Sequence, residues 1–404
     1  MKIISVSKGI KGPRPIALHF ANSQATWDGA SKAGDAALRA DIWHAACHER
    51  AVEFEKQLAS KSMKTAFNLA VQRKARARKE SFIGGINSYI SRPYERIKSD
   101  TVISYQKGCI TLHDYGGDGQ PVLLVPSLVN PYYILDLMPG RSLVAYMKEC
   151  GYRPFLLDWG NPGVEEQGFG LDAYIEHHLE PVLRHVVNSA GAAVPIIGYC
   201  MGGTLCTALA VRNPEYISKL VLLAAPWNFN TVNPLAGKKN SIKMKEIATN
   251  LPKYTEVGVD MLQAFFTSVD PTLSDRKFRG YHAGQYQGEN AGFFSAMEIW
   301  ANNGPALARQ AALDCLGDWY CDNKPYEHKW LIGGQTIFPE AIECQVLVAA
   351  PKRDRLVPQE SAFSLLETLQ YGIKHEPPSG HIGMVVGNRA RNGLWVPLVE
   401  WLTQ

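Results

Sequence analysis

Nowhere does this sequence hold the roughly 18 consecutive apolar residues that a membrane-crossing helix needs, so no transmembrane segment is expected. The start, Met1-Lys2-Ile3-Ile4, lacks the long apolar core of a secretory signal. Regularly spaced cysteines are missing too. The eight present are scattered along 404 residues, and a disulfide framework is unusual in so long a chain, which points to a reducing cytoplasm. Charged residues make up a modest 20%, and no nucleic-acid-binding motif accompanies them, so nucleic acid is not an expected partner. Internal repeats and low-complexity runs are also lacking. What is present is an apolar share of 46%, enough at this length for a large core, with one big domain and a smaller appendage as the simplest arrangement.

The charge sits unevenly. Residues 1–100 carry about +9 and the remainder about −5, within a net +4. The densest run, Arg73-Lys74-Ala75-Arg76-Ala77-Arg78-Lys79, reads either as a solvated helix face or as a contact for an acidic surface, such as lipid, a polyanion or the phosphates of a substrate. Residues 36–79 lack proline and are rich in Ala, Lys, Glu, Gln and Leu, a helix-forming composition, with Trp43, Ala46 and Phe54 on one apolar stripe. Gly84-Gly85 and Pro93 are expected to break that pattern. Residues 1–99 are therefore expected as a basic, helical N-terminal segment, and residues 100–404 as the catalytic domain.

From Asp100 the period changes. Residues 101–105 and 109–113 read as two strands around Gln106-Lys107-Gly108, an antiparallel hairpin. An alternating series follows. Strands are expected at 122–125, 154–157, 194–197, 220–223 and 346–349, each a continuous apolar run of the kind that is covered on both faces. Helices are expected at 141–150, 171–188, 201–212 and 361–369, with a last helix from Asn392. This alternation implies a mostly parallel sheet with helices on both faces. Between about 227 and 339 the alternation stops, and an aromatic-rich, helical stretch intervenes. An excursion in mid-sheet is how a cap is inserted over an active site, although a packing subdomain without a gating role has the same signature.

The chemistry centres on Gly198-Tyr199-Cys200-Met201-Gly202-Gly203, which follows an apolar strand and opens a helix. This is the nucleophile-elbow pattern of an α/β-hydrolase fold with cysteine in place of serine. The glycines keep side chains out of a turn too tight to hold them. The helix start favours a thiolate and presents the Met201 N–H to a developing oxyanion. A second donor is expected from Pro126-Ser127-Leu128-Val129-Asn130, the loop after the first parallel strand, with Val129 N–H as the candidate. The acid and the histidine follow in the order such enzymes use: Asp354 just past the strand at 346–349, then His381 in Ser379-Gly380-His381-Ile382-Gly383. Cys200, Asp354 and His381 then form a triad in which the histidine takes the thiol proton, the acid orients the imidazole, and the thiolate attacks a carbonyl. An acyl group moved from a thioester onto cysteine is still a thioester and keeps its transfer potential, so cysteine points to acyl transfer from a CoA thioester more than to plain hydrolysis. His44 and His48 share a helix face around Cys47, but no acidic base or third ligand follows at zinc spacing, so no metal is expected there.

These segments together resemble the polyhydroxyalkanoate (poly-3-hydroxybutyrate) synthases of the α/β-hydrolase superfamily, over roughly residues 100–404. Val125-Pro126-Ser127-Leu128-Val129-Asn130-Pro131-Tyr132-Tyr133 is similar to their oxyanion-loop segment, and Leu157-Asp158-Trp159-Gly160-Asn161-Pro162 to a strand-end signature. Gly198-Tyr199-Cys200-Met201-Gly202-Gly203-Thr204 matches their cysteine box, and Ser379-Gly380-His381-Ile382 their histidine segment. The resemblance implies polymerisation of (R)-3-hydroxyacyl-CoA into polyester in the cytoplasm or at polyester granules, with no cofactor beyond the CoA thioester substrate. It implies that Cys200 carries the acyl chain, His381 activates it, and Asp354 activates the 3-hydroxyl of the incoming monomer. It also implies a homodimer, in some members with a partner subunit. Arg355 stands after Asp354 where these synthases usually carry histidine. The alternative is a cytoplasmic cysteine hydrolase or thioesterase, depolymerase-like, using the same triad. An intact elbow and triad argue against a non-catalytic granule scaffold.

Overall fold

The computed structural model describes residues 12–33, 45–58, 60–92, 94–231 and 256–404. The chain forms two compact units, residues 1–95 with 263–302, and residues 96–262 with 303–404. The larger unit is built on eight strands, in chain order β1 (Val102–Lys107), β2 (Ile110–Asp114), β3 (Gln120–Val125), β4 (Tyr152–Asp158), β5 (Val194–Tyr199), β6 (Ile217–Leu223), β7 (Gln345–Ala349) and β8 (Gly372–His375). They lie side by side as β1-β2-β4-β3-β5-β6-β7-β8. The β1–β2 and β2–β4 pairs are antiparallel and every other pair is parallel.

The central strands owe their position to composition. Leu123, Leu124, Val125, Ile196, Ile197 and Leu220 to Leu223 are all fully buried, as continuous β-branched and leucine runs must be when helices cover both sheet faces. Helices Leu143–Glu149, Glu180–Ala190 and Met201–Arg212 follow β3, β4 and β5. Strand order reverses around β3, which has β4 on one side and β5 on the other. In an open parallel sheet the crevice at such a reversal, outside the carboxyl ends of the strands, is where ligands bind.

Several local expectations shift. The hairpin turn is Gly108-Cys109 rather than 106–108, so β1 runs on to Lys107 and Cys109 leaves the strand. Gly108 takes φ +53 there. The helix expected from Arg141 starts two residues later, because Arg141–Ser142 pairs with Asp136–Met138 and Ser142 Oγ caps the helix by accepting from Ala145 N at 2.9 Å. The helix expected over 171–188 is interrupted by a π-turn at Tyr174–Leu179. The edge strand β8 is absent from the sequence expectations, since its exposed Gly-Ile-Lys-His carries no apolar run.

The smaller unit differs most. Helix Ile16–Lys32 is not foreseen at all, and helix Lys61–Ile90 runs straight through Gly84-Gly85. The glycines serve packing, not termination. Phe278 belongs to helix Leu273–His282, and a Cβ on Gly85 would overlap its carbonyl oxygen. That approach lets Phe82, Ile86 and Tyr89 close on Phe278, Tyr281 and Phe294 in one aromatic core. Residues 263–302, part of the expected cap, thus pack with the N-terminal helices. Of the remainder, 256–262 and 303–339 belong to the larger unit, and 232–255 lie outside the described residues, as do Trp43, His44 and Pro93. The basic run divides: Arg78 lies 4.6 Å over the Trp27 ring and Lys79 pairs with Asp28 at 2.5 Å, whereas Arg73, Lys74 and Arg76 are exposed. Among the described residues no helix is long and apolar enough to cross a membrane.

Gly→Ala in an exposed helix normally stabilises by about 0.5–1 kcal/mol, and Gly29, with open space around its Cβ position, should behave so. Gly85→Ala gains the same propensity but forces helix Lys61–Ile90 away from Phe278, at about 1–3 kcal/mol of overpacking. Denaturant midpoints of the two variants should therefore move in opposite directions. Equal stabilisation by both would contradict the close helix contact.

Candidate active site

The loops at the carboxyl ends of β3, β5, β7 and β8 carry the groups singled out in the sequence. Cys200 sits between β5 and helix Met201–Arg212 at φ 54, ψ −126. A non-glycine residue in that region costs about 1–3 kcal/mol and persists only where its surroundings force it. Here they do. Cys200 N donates to Leu223 O at 2.8 Å, and Cys200 O accepts from Gly203 N at 2.9 Å. A Cβ on Gly202 would overlap the carbonyls of Val125 and Pro126, and one on Gly198 would fall 2.5 Å from Gly203 Cα. Side chains at those positions would push the turn off the neighbouring strand. The thiol is left half-buried and accessible.

His381 lies near enough to Cys200 for the sulfur to act on its imidazole. Its Nδ1 is 2.7 Å from Asp354 Oδ2, and Asp354 Oδ1 accepts from Leu356 N at 2.8 Å and Val357 N at 2.9 Å. Three donors thus hold one carboxylate whose side chain is 0% exposed, which fixes the imidazole edge facing the sulfur. Burial by itself would lower the His381 pKa, but the charges of Cys200 and Asp354 and its hydrogen bonds to both raise it to about 10. Arg355 is exposed beside this arrangement. Cys206, one and a half turns beyond the nucleophile, is buried in the core, and burial pushes its thiol well up.

The expected oxyanion donors follow adjacent strands, since Val125 at the end of β3 pairs with Gly198 at the end of β5. Met201 is the first residue of its helix, where an N–H has no intrahelical acceptor. Val129 N faces Ser127 Oγ at 3.4 Å, a long contact that leaves the N–H weakly held. Trp159 Nε1 donates to Pro126 O at 3.0 Å and fixes the start of this loop. Sequence reasoning quoted Trp159 only as part of a signature and gave it no task.

Two tyrosines were missed. Tyr199 packs against the His381 ring at 5.3 Å and donates to His381 O at 3.4 Å. Tyr320 is half-buried near Cys200, and desolvation together with that charge raises its hydroxyl pKa. It stands on Phe229, which stacks on Trp319 at 5.2 Å. Its aromatic-rich setting was visible in the sequence, but nothing there ties position 320 to position 200. Of the His44-Cys47-His48 group, His44 lies outside the described residues, and Cys47 and His48 are exposed.

The chain is similar to known proteins over most of its length. The family model of the alpha/beta hydrolase fold matches residues 120–387. The poly(3-hydroxyalkanoate) polymerase subunit PhaC of Cupriavidus necator is 42% identical over 295 residues, covering 68% of this chain and 48% of the relative. The protein of the same name from Haloarcula marismortui is 29% identical over 301 residues, covering 73% and 63%. The chain therefore spans less than two thirds of the length of either. An alpha/beta hydrolase fold protein from Nakamurella multipartita, of solved structure, matches 76% of this chain and 99% of its own at 17% identity, with a TM-score of 0.47. The chain belongs to the α/β-hydrolase fold family, and within it is similar to poly(3-hydroxyalkanoate) polymerase subunits.

Proposed function

We propose that this chain is a polyhydroxyalkanoate synthase-like acyltransferase, moving (R)-3-hydroxyacyl groups from CoA thioesters through Cys200 onto the hydroxyl of a growing polyester. The observation that carries the reading is a cysteine at the strained elbow, in contact with an imidazole whose pKa is raised to about 10. At neutral pH His381 is then cationic beside the Cys200 sulfur. The imidazolium persists up to about pH 10 and is lost as it deprotonates above that.

The steps follow from that charge state. The thiolate attacks the thioester carbonyl, and the N–H groups of Met201 and Val129 receive the oxyanion. His381 gives its proton to the departing CoA sulfur, leaving an acyl-cysteine and a neutral imidazole. A hydroxyl oxygen then attacks the acyl-cysteine while His381 takes its proton, and the thiolate is regenerated. The sequence resemblance has Asp354 act on the hydroxyl directly. Its side chain has no exposed surface, so Asp354 acts through His381 instead. The carboxylate matters most in the second step. In the first, the imidazolium already faces a thiolate, whereas in the second that counter-charge is gone and only Asp354 stabilises the cation that forms.

Hydroxyacyl-CoA and polyester are the reactants on this reading, with no further cofactor. It also places the protein in the cytoplasm or at granules, as a homodimer or with a partner subunit. Exposed Arg73, Lys74 and Arg76 are the groups free for an acidic surface. Incubation with 3-hydroxybutyryl-CoA, following CoA release and product size, tests the whole reading. Polymer supports it; free 3-hydroxybutyrate supports the thioesterase alternative.

Cys200→Ala should cut CoA release by about a thousandfold or more while the fold is kept. Cys206→Ala should retain turnover and lose about 1 kcal/mol of stability. Residual release near the parent rate in the purified Cys200→Ala protein would remove Cys200 from the mechanism.

His381→Gln should block acylation of Cys200. Asp354→Asn should allow a burst of CoA release, with acyl-enzyme accumulating and later turnover slow. Rapid-quench measurement of bound acyl group decides between this division and an ordinary triad, in which both variants acylate equally slowly.

A further inference from the structure

One buried cluster outside the triad holds three groups that the acyl chemistry leaves idle. Cys109 is the second residue of the β1–β2 turn, Glu166 lies in the loop after β4, and His178 belongs to the π-turn Tyr174–Leu179. A sulfur, a carboxylate oxygen and a ring nitrogen from these residues all lie within 4.8 Å of one another. Glu166 and His178 are fully buried. The carboxylate is held in place: Oε1 accepts from Cys109 N at 3.0 Å and Oε2 from Gly163 N at 2.8 Å. A side chain on Gly108 would intrude on the same carboxylate.

His178 supplies a second, independent observation. Neither ring nitrogen has a hydrogen-bond partner, although the residue is 0% exposed. Nε2 faces Glu166 Oε1 at 3.4 Å without bonding it. Phe169 and Tyr174 wall the ring, at 5.3 and 5.8 Å between centroids. Orphaned polar atoms in so dry a place are rare in folded proteins. A π-turn costs helix geometry and concentrates at functional positions; this one carries the histidine.

We propose that Cys109 Sγ, Glu166 Oε1 and His178 Nε2 bind one divalent cation of zinc type, a structural ion separate from the Cys200 triad. The donor set of one thiolate, one carboxylate and one imidazole suits a borderline-soft ion and disfavours magnesium or calcium, which take oxygen ligands. The spacing agrees. Nitrogen and oxygen ligands at about 2.0–2.1 Å from a tetrahedral ion stand about 3.3 Å apart, against the 3.4 Å between Nε2 and Oε1. On binding, the Cys109 thiol releases its proton to solvent, and water completes the fourth position. The ion would bond the hairpin turn to the loop after β4 and to the π-turn. That loop begins at Trp159, the residue that holds Pro126.

The test uses cobalt(II) as a coloured stand-in for zinc. Purified full-length protein, freed of metal with chelator, is titrated with Co²⁺ and followed in the near ultraviolet for thiolate-to-cobalt charge transfer. One equivalent per chain is expected in the parent and in Cys200→Ser, and none in Cys109→Ser or His178→Gln. Zinc should raise the Tm of the parent by several degrees and leave that of Cys109→Ser unmoved. Should His178→Gln fail to fold, Cys109→Ser, a near-isosteric change checked by far-UV circular dichroism, still decides. No charge-transfer band in the parent, a band that survives Cys109→Ser, or equal Tm shifts in parent and variant would each overturn the site.

Discussion

Close approach between the β5 elbow and the end of β3 is the constraint on which the rest of the active site depends. Gly202 lies directly against the carbonyls of Val125 and Pro126, and Val125 is already paired with Gly198 across the strands. With no side chain in the way, the elbow can turn tightly enough to hold Cys200 at positive φ. The same approach brings the loop from Pro126 to Asn130 beside the helix N-terminus. Cys200 and the loop that holds Val129 are thus placed by one backbone contact, whose geometry is secured from the far side by Trp159 on Pro126. Histidine and acid are then added from two further strands at the same end of the sheet.

Cysteine changes the electrostatic problem that this scaffold solves. A serine elbow must remove a proton of very high pKa during attack. Here the buried imidazole is flanked by sulfur on one side and carboxylate on the other, and both hold its pKa up. On the proposed reading, the energetic demand moves to the acceptor hydroxyl in the second half-reaction. That reading gives a task to a carboxylate held by three donors and without exposed surface.

The larger unit was far more legible in the sequence than the smaller. Strands such as 220–223 carry a continuous apolar run because both their faces are covered, and that signal survives any change of context. The elbow was legible because three glycines around a cysteine have few other uses, and Asp354 and His381 because their order after it is restricted. Signals failed where the cause lies far away along the chain. Gly84-Gly85 has the composition of a break, and only the approach of Phe278, nearly 200 residues on, turns it into a packing surface. Tyr320 gives no local hint that it neighbours Cys200. The π-turn in helix 171–190 leaves the apolar pattern intact, so nothing in the periodicity marks His178 as displaced. β8 was missed because an exposed edge strand has no need of hydrophobic residues.

That edge strand has a consequence for durability. β8 is bonded to β7 alone, and three of its four residues are exposed. His381 hangs on the chain leaving it, whereas Cys200 rises from the fully buried β5. Peripheral strands with little buried surface open at a small fraction of the free energy that unfolds a core. His381 and Cys200 therefore belong to parts of the molecule with different lifetimes. On warming, the histidine side of the pair comes adrift while the elbow is still intact, so catalytic competence fades over a temperature range in which the sheet's centre still resists hydrogen exchange.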